Sequence, residues 1–154
     1  MLSLTDTALL GFGLIYYLLL CVVFILRANE RREELKLKYV FSLQLLPFAA
    51  LFLLNLTENH TLKAITLVSL LVFLVYDLWY RVITEEKPLH HPDKWPLKLV
   101  VYVVLLYAGS IGLNWYGFLI SQRYGMVLVA GFFAMMACYT LYQIKHSQRK
   151  TSAA

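Results

Sequence analysis

Charged residues are scarce in this chain of 154 residues: they make up 15% of it, whereas hydrophobic residues make up 60%. A soluble domain of this size has too little interior to bury so much apolar surface. Long polar stretches are also rare, since the longest one between apolar runs has about 18 residues. The sequence therefore excludes a separate catalytic or nucleic-acid-binding domain and predicts a single transmembrane domain over residues 1–154.

The chain also lacks the features that would predict a disulfide framework, a b-type haem site or a cleaved signal peptide. The two cysteines, Cys21 and Cys138, lie inside apolar runs, which is typical of small hydrophobic side chains rather than of a disulfide framework. No histidine falls inside an apolar run, so no b-type haem is expected, and we predict no cofactor. Residues 1–7 contain no Lys or Arg, so we expect the first apolar run to be retained and not cleaved as a signal peptide.

What the chain does contain is a series of apolar runs, each near the length of about 20 residues that spans a bilayer as a helix. The runs predict an all-α, multi-pass membrane bundle of five transmembrane helices. The bundle is predicted to contact the lipid bilayer as its first partner, and to lie in the plasma membrane or its equivalent. The predicted spans are residues 8–26, 39–56, 62–80, 97–113 and 125–144.

Three local features refine these spans. Pro47, near the middle of the second span, predicts a kink because proline removes a backbone hydrogen bond. Residues 114–124 are amphipathic and aromatic, so they form either an interfacial helix or an extension of the fourth span. The basic residues 145–154 are expected to be a mobile tail.

The placement of Lys and Arg predicts the orientation. Twelve of them lie in residues 27–38, 81–98 and 145–154, on one side of the predicted membrane, and only Lys63 and Arg123 lie on the other. Cytoplasmic loops are enriched in Lys and Arg, so the N-terminus is predicted outside and the C-terminus in the cytoplasm. The net charge of +5 is thus explained by topology, and no nucleic-acid partner is expected.

Asp77 is the one acidic residue that these spans place inside an apolar run, and Arg81 follows one helical turn later. An ionisable group in a membrane is a functional candidate because its desolvation is costly. Since Asp77 lies within about one turn of the end of its span, a structural pair with Arg81 is the interpretation we favour over proton or ion handling.

Residues 81–98 gather polar side chains, among them His90, His91 and Asp93. The spacing of the potential ligands matches none of the usual metal sites, so no metal is predicted. The sequence HPDK at residues 91–94 resembles the signature loop of J-domain co-chaperones, a resemblance that implies contact with a chaperone. Its flanks, however, are apolar spans rather than that family's soluble helical hairpin. We favour a proline-stiffened connector without catalytic residues.

Gly109 and Gly112 form a small-residue patch of the kind that lets membrane helices approach closely. We therefore interpret the protein first as a small non-catalytic membrane subunit that packs against other membrane chains or against copies of itself. The second interpretation is a small oligomeric transporter or channel protomer in which Asp77, Gln44 and Asn55 line the path. The third is a membrane enzyme that acts on lipid at the cytoplasmic face through residues 81–98.

Overall fold

The computed structural model describes residues 4–29, 39, 40, 42–80 and 97–152. Within these residues the chain forms five helices and no strand, so the predicted all-α fold is confirmed. The helices are α1 (Leu4–Ala28), α2 (Leu45–Thr57), α3 (Thr61–Leu78), α4 (Leu97–Ile120) and α5 (Gln122–Ser152). The helices α1, α3, α4 and α5 are long and apolar enough to cross a membrane, whereas α2 is a shorter apolar helix of 13 residues.

The five helices form a closed ring, in which α1 contacts α5, α5 contacts α4, α4 contacts α3, α3 contacts α2, and α2 returns to α1. The most extensive contacts join α3 to α4 and α1 to α5. Aromatic side chains fill the interior. The ring of Tyr16 on α1 lies edge-on to Phe48 of α2 at 6.3 Å and to Phe73 of α3 at 6.5 Å.

Side-chain contacts show that α1, α3 and α5 run in the same direction, so helices that follow one another in the chain alternate in direction while the neighbours α1 and α5 are parallel. Asp6 at the start of α1 meets Lys63 at the start of α3, and Lys145 near the opposite end of the bundle meets Asn29 just after α1. We call the end that holds Leu4, residues 58–60 and Ser121 the turn end. The end that holds Ala28, Leu78, Leu97 and Lys145 is the loop end.

A tight turn connects α2 to α3. The N–H of Asn59 bonds to the carbonyl of Leu56, and the N–H of His60 bonds to that of Asn55. This pair of bonds is a Schellman motif, which needs a residue with positive φ directly after the helix cap. Asn59 supplies it with φ of 59°, because asparagine tolerates the left-handed region better than most residues.

The kink predicted from Pro47 is present, and the break in the helix lies three residues before the proline. Pro47 lies in the first turn of α2, where the missing N–H has little cost, and the helix continues through it without a break. The helix is broken by a turn at Gln44, which separates the helical residues 42–43 from α2. Pro47 has no N–H to donate to the carbonyl of Leu43, four residues earlier, and its ring crowds that carbonyl. Because Leu43 directly precedes Gln44, this missing hydrogen bond explains why the helix breaks there.

The last two helices also differ from the expected boundaries. Residues 114–120 are an extension of α4, and α5 begins at Gln122 after a corner at Ser121. The N–H of Tyr124 donates to Ser121 Oγ at 3.4 Å, as in an N-cap. Residues 145–152, which the sequence predicts as a mobile tail, are helical. Lys, Gln and Arg are good helix formers, and neither Gly nor Pro interrupts this segment.

Candidate functional site

Asp77 occupies the penultimate position of α3, at the loop end, and it is completely buried. The hydroxyl of Tyr102, in the second turn of α4, donates a hydrogen bond of 2.8 Å to Asp77 Oδ1. An acidic group in a core is costly to desolvate unless hydrogen bonds or charges compensate it. The α3–α4 contact therefore buries a carboxyl group with a phenol as hydrogen-bond donor.

Aromatic rings surround this pair. The ring of Tyr102 lies 5.4 Å from that of Phe73, 5.9 Å from that of Tyr80 and 6.5 Å from that of Tyr76, measured between centroids. Rings in this arrangement exclude water and lower the local dielectric constant, which strengthens each polar interaction inside. A carboxyl group here can bind or release a proton or hold a cation, whereas the described residues around it provide no activated nucleophile.

A second polar contact lies deeper in the bundle, between α1 and α4. The hydroxyl of Tyr17 lies 2.8 Å from Asn114 Oδ1 and 3.1 Å from the carbonyl oxygen of Ser110. All three residues are buried. This hydrogen bond fixes the register between two helices that otherwise touch little.

The third polar cluster, at the turn end, contains residues that the sequence interpretation missed. Lys63 Nζ lies 2.6 Å from Asp6 Oδ1, and the two side chains are only 18% and 11% exposed. The same ammonium group lies 5.7 Å from the centre of the Tyr116 ring. Tyr116 donates to Asn55 Oδ1 at 3.0 Å, and Asn55 Nδ2 donates to the carbonyl of Leu51 at 2.7 Å.

Asp6 and Lys63 were missed because the first span was predicted to start at residue 8, which left Asp6 outside it. The structure places Asp6 in the first turn of α1, where a negative charge also favours the helix dipole. The available signal was the opposite charge of Asp6 and Lys63, each at the start of a helix that begins on the same side of the bundle. Their short distance and burial are typical of a structural ion pair that joins α1 to α3.

The other sequence-predicted residues fall into two groups. Arg81, His90, His91 and Asp93, together with the HPDK segment, lie outside the described residues. Gln44 and Asn55, proposed with Asp77 as path residues, are both buried. Gln44 Oε1 has no hydrogen-bond partner within the described part of the chain, whereas the Asn55 side chain bonds through both its oxygen and its nitrogen.

Gly109 and Gly112 lie on the face of α4 that packs against α3 of the same chain. A Cβ added at Gly109 would lie 3.1 Å from the Cα of Leu70, and one added at Gly112 would collide with the carbonyl oxygen of Thr66. The two glycines therefore allow close helix packing within the bundle. A second chain has to use another surface.

The chain matches no protein-family model, no curated protein and no solved structure. Its class is therefore defined by the fold alone: the residues that the structure describes form an all-helical bundle in which four helices are long and apolar enough to cross a membrane. Across the described residues, no group of three or more His, Cys, Asp or Glu side chains is placed to hold a metal ion.

Proposed function

We propose that this protein is a small, multi-pass, non-catalytic membrane subunit, and that the outer face of α5 binds a transmembrane helix of another chain. The observation that carries the proposal is the low burial of α5. Only 17% of its apolar segment is buried inside the bundle, against 33% to 39% for the other three long helices. The helix has the length of a membrane span and packs against α1 and α4 along one side, but most residues of its apolar segment remain partly or fully exposed.

The outer face of α5 is a continuous stripe with a seven-residue repeat. Three alanines are exposed along this stripe: Ala130, Ala134 one helical turn later, and Ala137 two turns after Ala130. Exposed bulky neighbours, Phe133 and Leu141, flank these alanines. Small residues at i and i+4 let two membrane helices approach closely enough for van der Waals packing, which is the main source of helix association in lipid.

Charge favours a different chain over a second copy as the partner. The helical extension of α5 beyond its apolar segment carries Lys145, Arg149 and Lys150. Two copies in the same membrane orientation that packed along this stripe would bring these extensions together, and like charges at close range repel. A partner helix with acidic or neutral residues at that level avoids the repulsion.

The test is extraction in mild detergent followed by chromatography with light scattering. We expect the protein to elute with a second polypeptide and Ala134→Leu to elute alone at its own mass of 17.8 kDa plus detergent. The matched control is Ala50→Leu, an equally large change at an exposed alanine on α2, which should leave the complex intact. Elution of the unmodified protein alone or as a homo-oligomer, or a complex that survives Ala134→Leu, would contradict the proposal.

A second candidate function is a small transporter or channel protomer, and one observation favours it. The carboxyl group of Asp77 is fully buried beside Tyr102, and a buried ionisable group within an apolar helix is typical of proton or ion pathways. The discriminating experiment is proton flux into liposomes, reported by a trapped pH-sensitive dye. Flux that Asp77→Asn abolishes, while the fold and all bound partners are retained, favours the transporter over the subunit.

The lipid-modifying enzyme rests on residues 81–98, most of which lie outside the described residues, and no structural observation favours it. Replacing His90 and His91 with alanine should therefore leave the complex unchanged. Loss of a lipid-modifying activity in that double variant would favour the enzyme instead.

A further inference from the structure

An open apolar groove of about 570 Å³ runs along the outside of α3. Its floor is a stripe of α3 residues at the spacing of one helix face: Val68, Val72, Val75 and Trp79. Phe52 of α2 lines one side and Leu105 of α4 the other. The groove exists because the backbones of α2 and α4, both packed against α3, stay apart in the described part of the bundle, although Tyr116 of α4 reaches Asn55 of α2 at the turn end.

The length of the groove matches one leaflet of a bilayer. The floor extends over eleven residue steps, or about 16 Å at 1.5 Å per residue. Half of a hydrocarbon core of about 30 Å is about 15 Å. A transmembrane helix in this position would need a contact surface along the whole core, whereas an acyl chain needs only one leaflet.

The groove ends in groups that are typical of the headgroup level. Trp79, half-exposed, lies at the loop end of the floor, and the ammonium group of Lys98 is 6.0 Å from the centre of its ring. The hydroxyl of Tyr76 donates to the carbonyl oxygen of Lys98 at 3.1 Å, which holds the first turn of α4 against α3. Tryptophan and tyrosine are enriched at membrane interfaces, and lysine there extends its charge toward the headgroups.

We propose that this groove is a binding site for one anionic phospholipid, with an acyl chain along Val68, Val72 and Val75 and the phosphate beside Lys98. The apolar floor binds the chain by burial of surface. The cation at its end selects a negatively charged headgroup. The lipid then lies against α2, α3 and α4 and bridges the gap between α2 and α4. The site depends on membrane insertion of the bundle but not on a partner at α5.

The test uses purified protein that has been stripped of lipid in detergent. Phosphatidylglycerol and phosphatidylcholine with identical acyl chains are added separately, and bound lipid is counted by native mass spectrometry. We expect phosphatidylglycerol to bind about fivefold more tightly, the preference that a single lysine near a membrane surface supplies. Lys98→Gln should abolish this preference and leave phosphatidylcholine binding unchanged. Equal retention of both lipids by the unmodified protein would overturn the proposal.

A second pair of variants tests the groove itself. Val72→Trp fills the floor and should prevent retention of both lipids, whereas Val104→Trp, the same change at an exposed valine outside the groove lining, should not. Lipid retention by Val72→Trp equal to that by Val104→Trp would contradict the site. Lys98 is exposed, so Lys98→Gln is expected to fold. The comparison of the two lipids in that variant therefore still tests the site if Val72→Trp fails to fold. Ala134→Leu should retain the lipid, so a failure at α5 is distinguishable from a failure here.

Discussion

Two small-residue faces of the bundle have different surroundings. Gly109 and Gly112 of α4 lie against the backbone of α3, where there is no room for a side chain. Ala130, Ala134 and Ala137 of α5 are exposed on the outside of the bundle. Both faces have the composition that allows close helix approach. The inner one is already used for the contact between α3 and α4, and the outer one is free to contact a second chain.

The difference shows that a small-residue pattern identifies a packing face without identifying its partner. The sequence interpretation assigned Gly109 and Gly112 to contacts with other chains, yet in the structure they pack within their own. An inner face should be sensitive to an added methyl group in measurements of folding, because its neighbour is backbone that moves little. An outer face should be sensitive only in measurements of assembly.

The largest effect is expected for Gly112→Ala. The added Cβ would collide with the Thr66 carbonyl oxygen and with Ser69 Oγ, so α3 and α4 have to separate. We expect the free energy of unfolding in detergent to fall by about 3 kcal/mol, at the upper end of what overpacking costs. The matched control is Gly11→Ala on α1, where a Cβ would meet nothing within 4 Å. Equal stability of the two variants would contradict the inner-face assignment.

The α3–α4 contact also contains a hydrogen bond, and Tyr102→Phe separates its effect from that of close packing. The change removes the donor to Asp77 Oδ1 and leaves the ring in place. We expect a loss of about 1 to 2 kcal/mol in the free energy of unfolding, the upper part of the range for hydrogen bonds between membrane helices. Tyr107→Phe is the control, because its hydroxyl donates only to the sulfur of Met136, a weak acceptor. A loss from Tyr102→Phe larger than that from Gly112→Ala would show that the hydrogen bond dominates the contact.

A smaller effect is expected for Gly109→Ala, one helical turn from Gly112. The added Cβ would lie 3.1 Å from the Cα of Leu70 and 3.3 Å from the Cβ of Phe73, distances that a shift of a few tenths of an ångström relieves. We expect a loss of about 1 kcal/mol, the lower end of overpacking costs. Thermal unfolding of the Gly109→Ala and Gly112→Ala variants, measured side by side, compares the loss of stability that an added methyl group causes at the two positions. A cost for Gly109→Ala above that for Gly112→Ala would place the closest approach of α3 and α4 elsewhere.

Much of the fold was predictable because apolar runs determine where helices form in a chain this hydrophobic. The burial of Asp77 was less predictable, since its depth in the sequence suggested a position near interfacial water, whereas Tyr102 and the rings around it come from three-dimensional packing. Helical periodicity assigns a residue to a face but does not say which helix covers that face. For this reason neither the partner of Gly112 nor the pairing of Asp6 with Lys63 followed from the sequence.

The helix ends were predicted less well than the helices. Hydropathy locates the apolar part of a helix, so it excluded Asp6 from α1 and the basic residues 145–152 from α5, although both are helical. The interruption at Gln44 depends on which carbonyl Pro47 leaves without a donor, and that carbonyl lies four residues earlier in the chain. These features depend on backbone hydrogen bonding, which a hydropathy pattern does not record.

The smallest effect on folding is expected for Ala134→Leu, and that is the sharpest test of the outer face. Ala134 is exposed in the described part of the bundle, so we expect the larger side chain to extend into the surrounding detergent or lipid. We expect the free energy of unfolding of the isolated chain to change by less than about 0.5 kcal/mol, as for substitutions on a surface. In the same variant the complex with a partner chain should be lost, whereas Gly112→Ala should reduce folding stability first. A large loss of folding stability from Ala134→Leu would mean that this face packs within the chain, and the distinction between the two faces would fail.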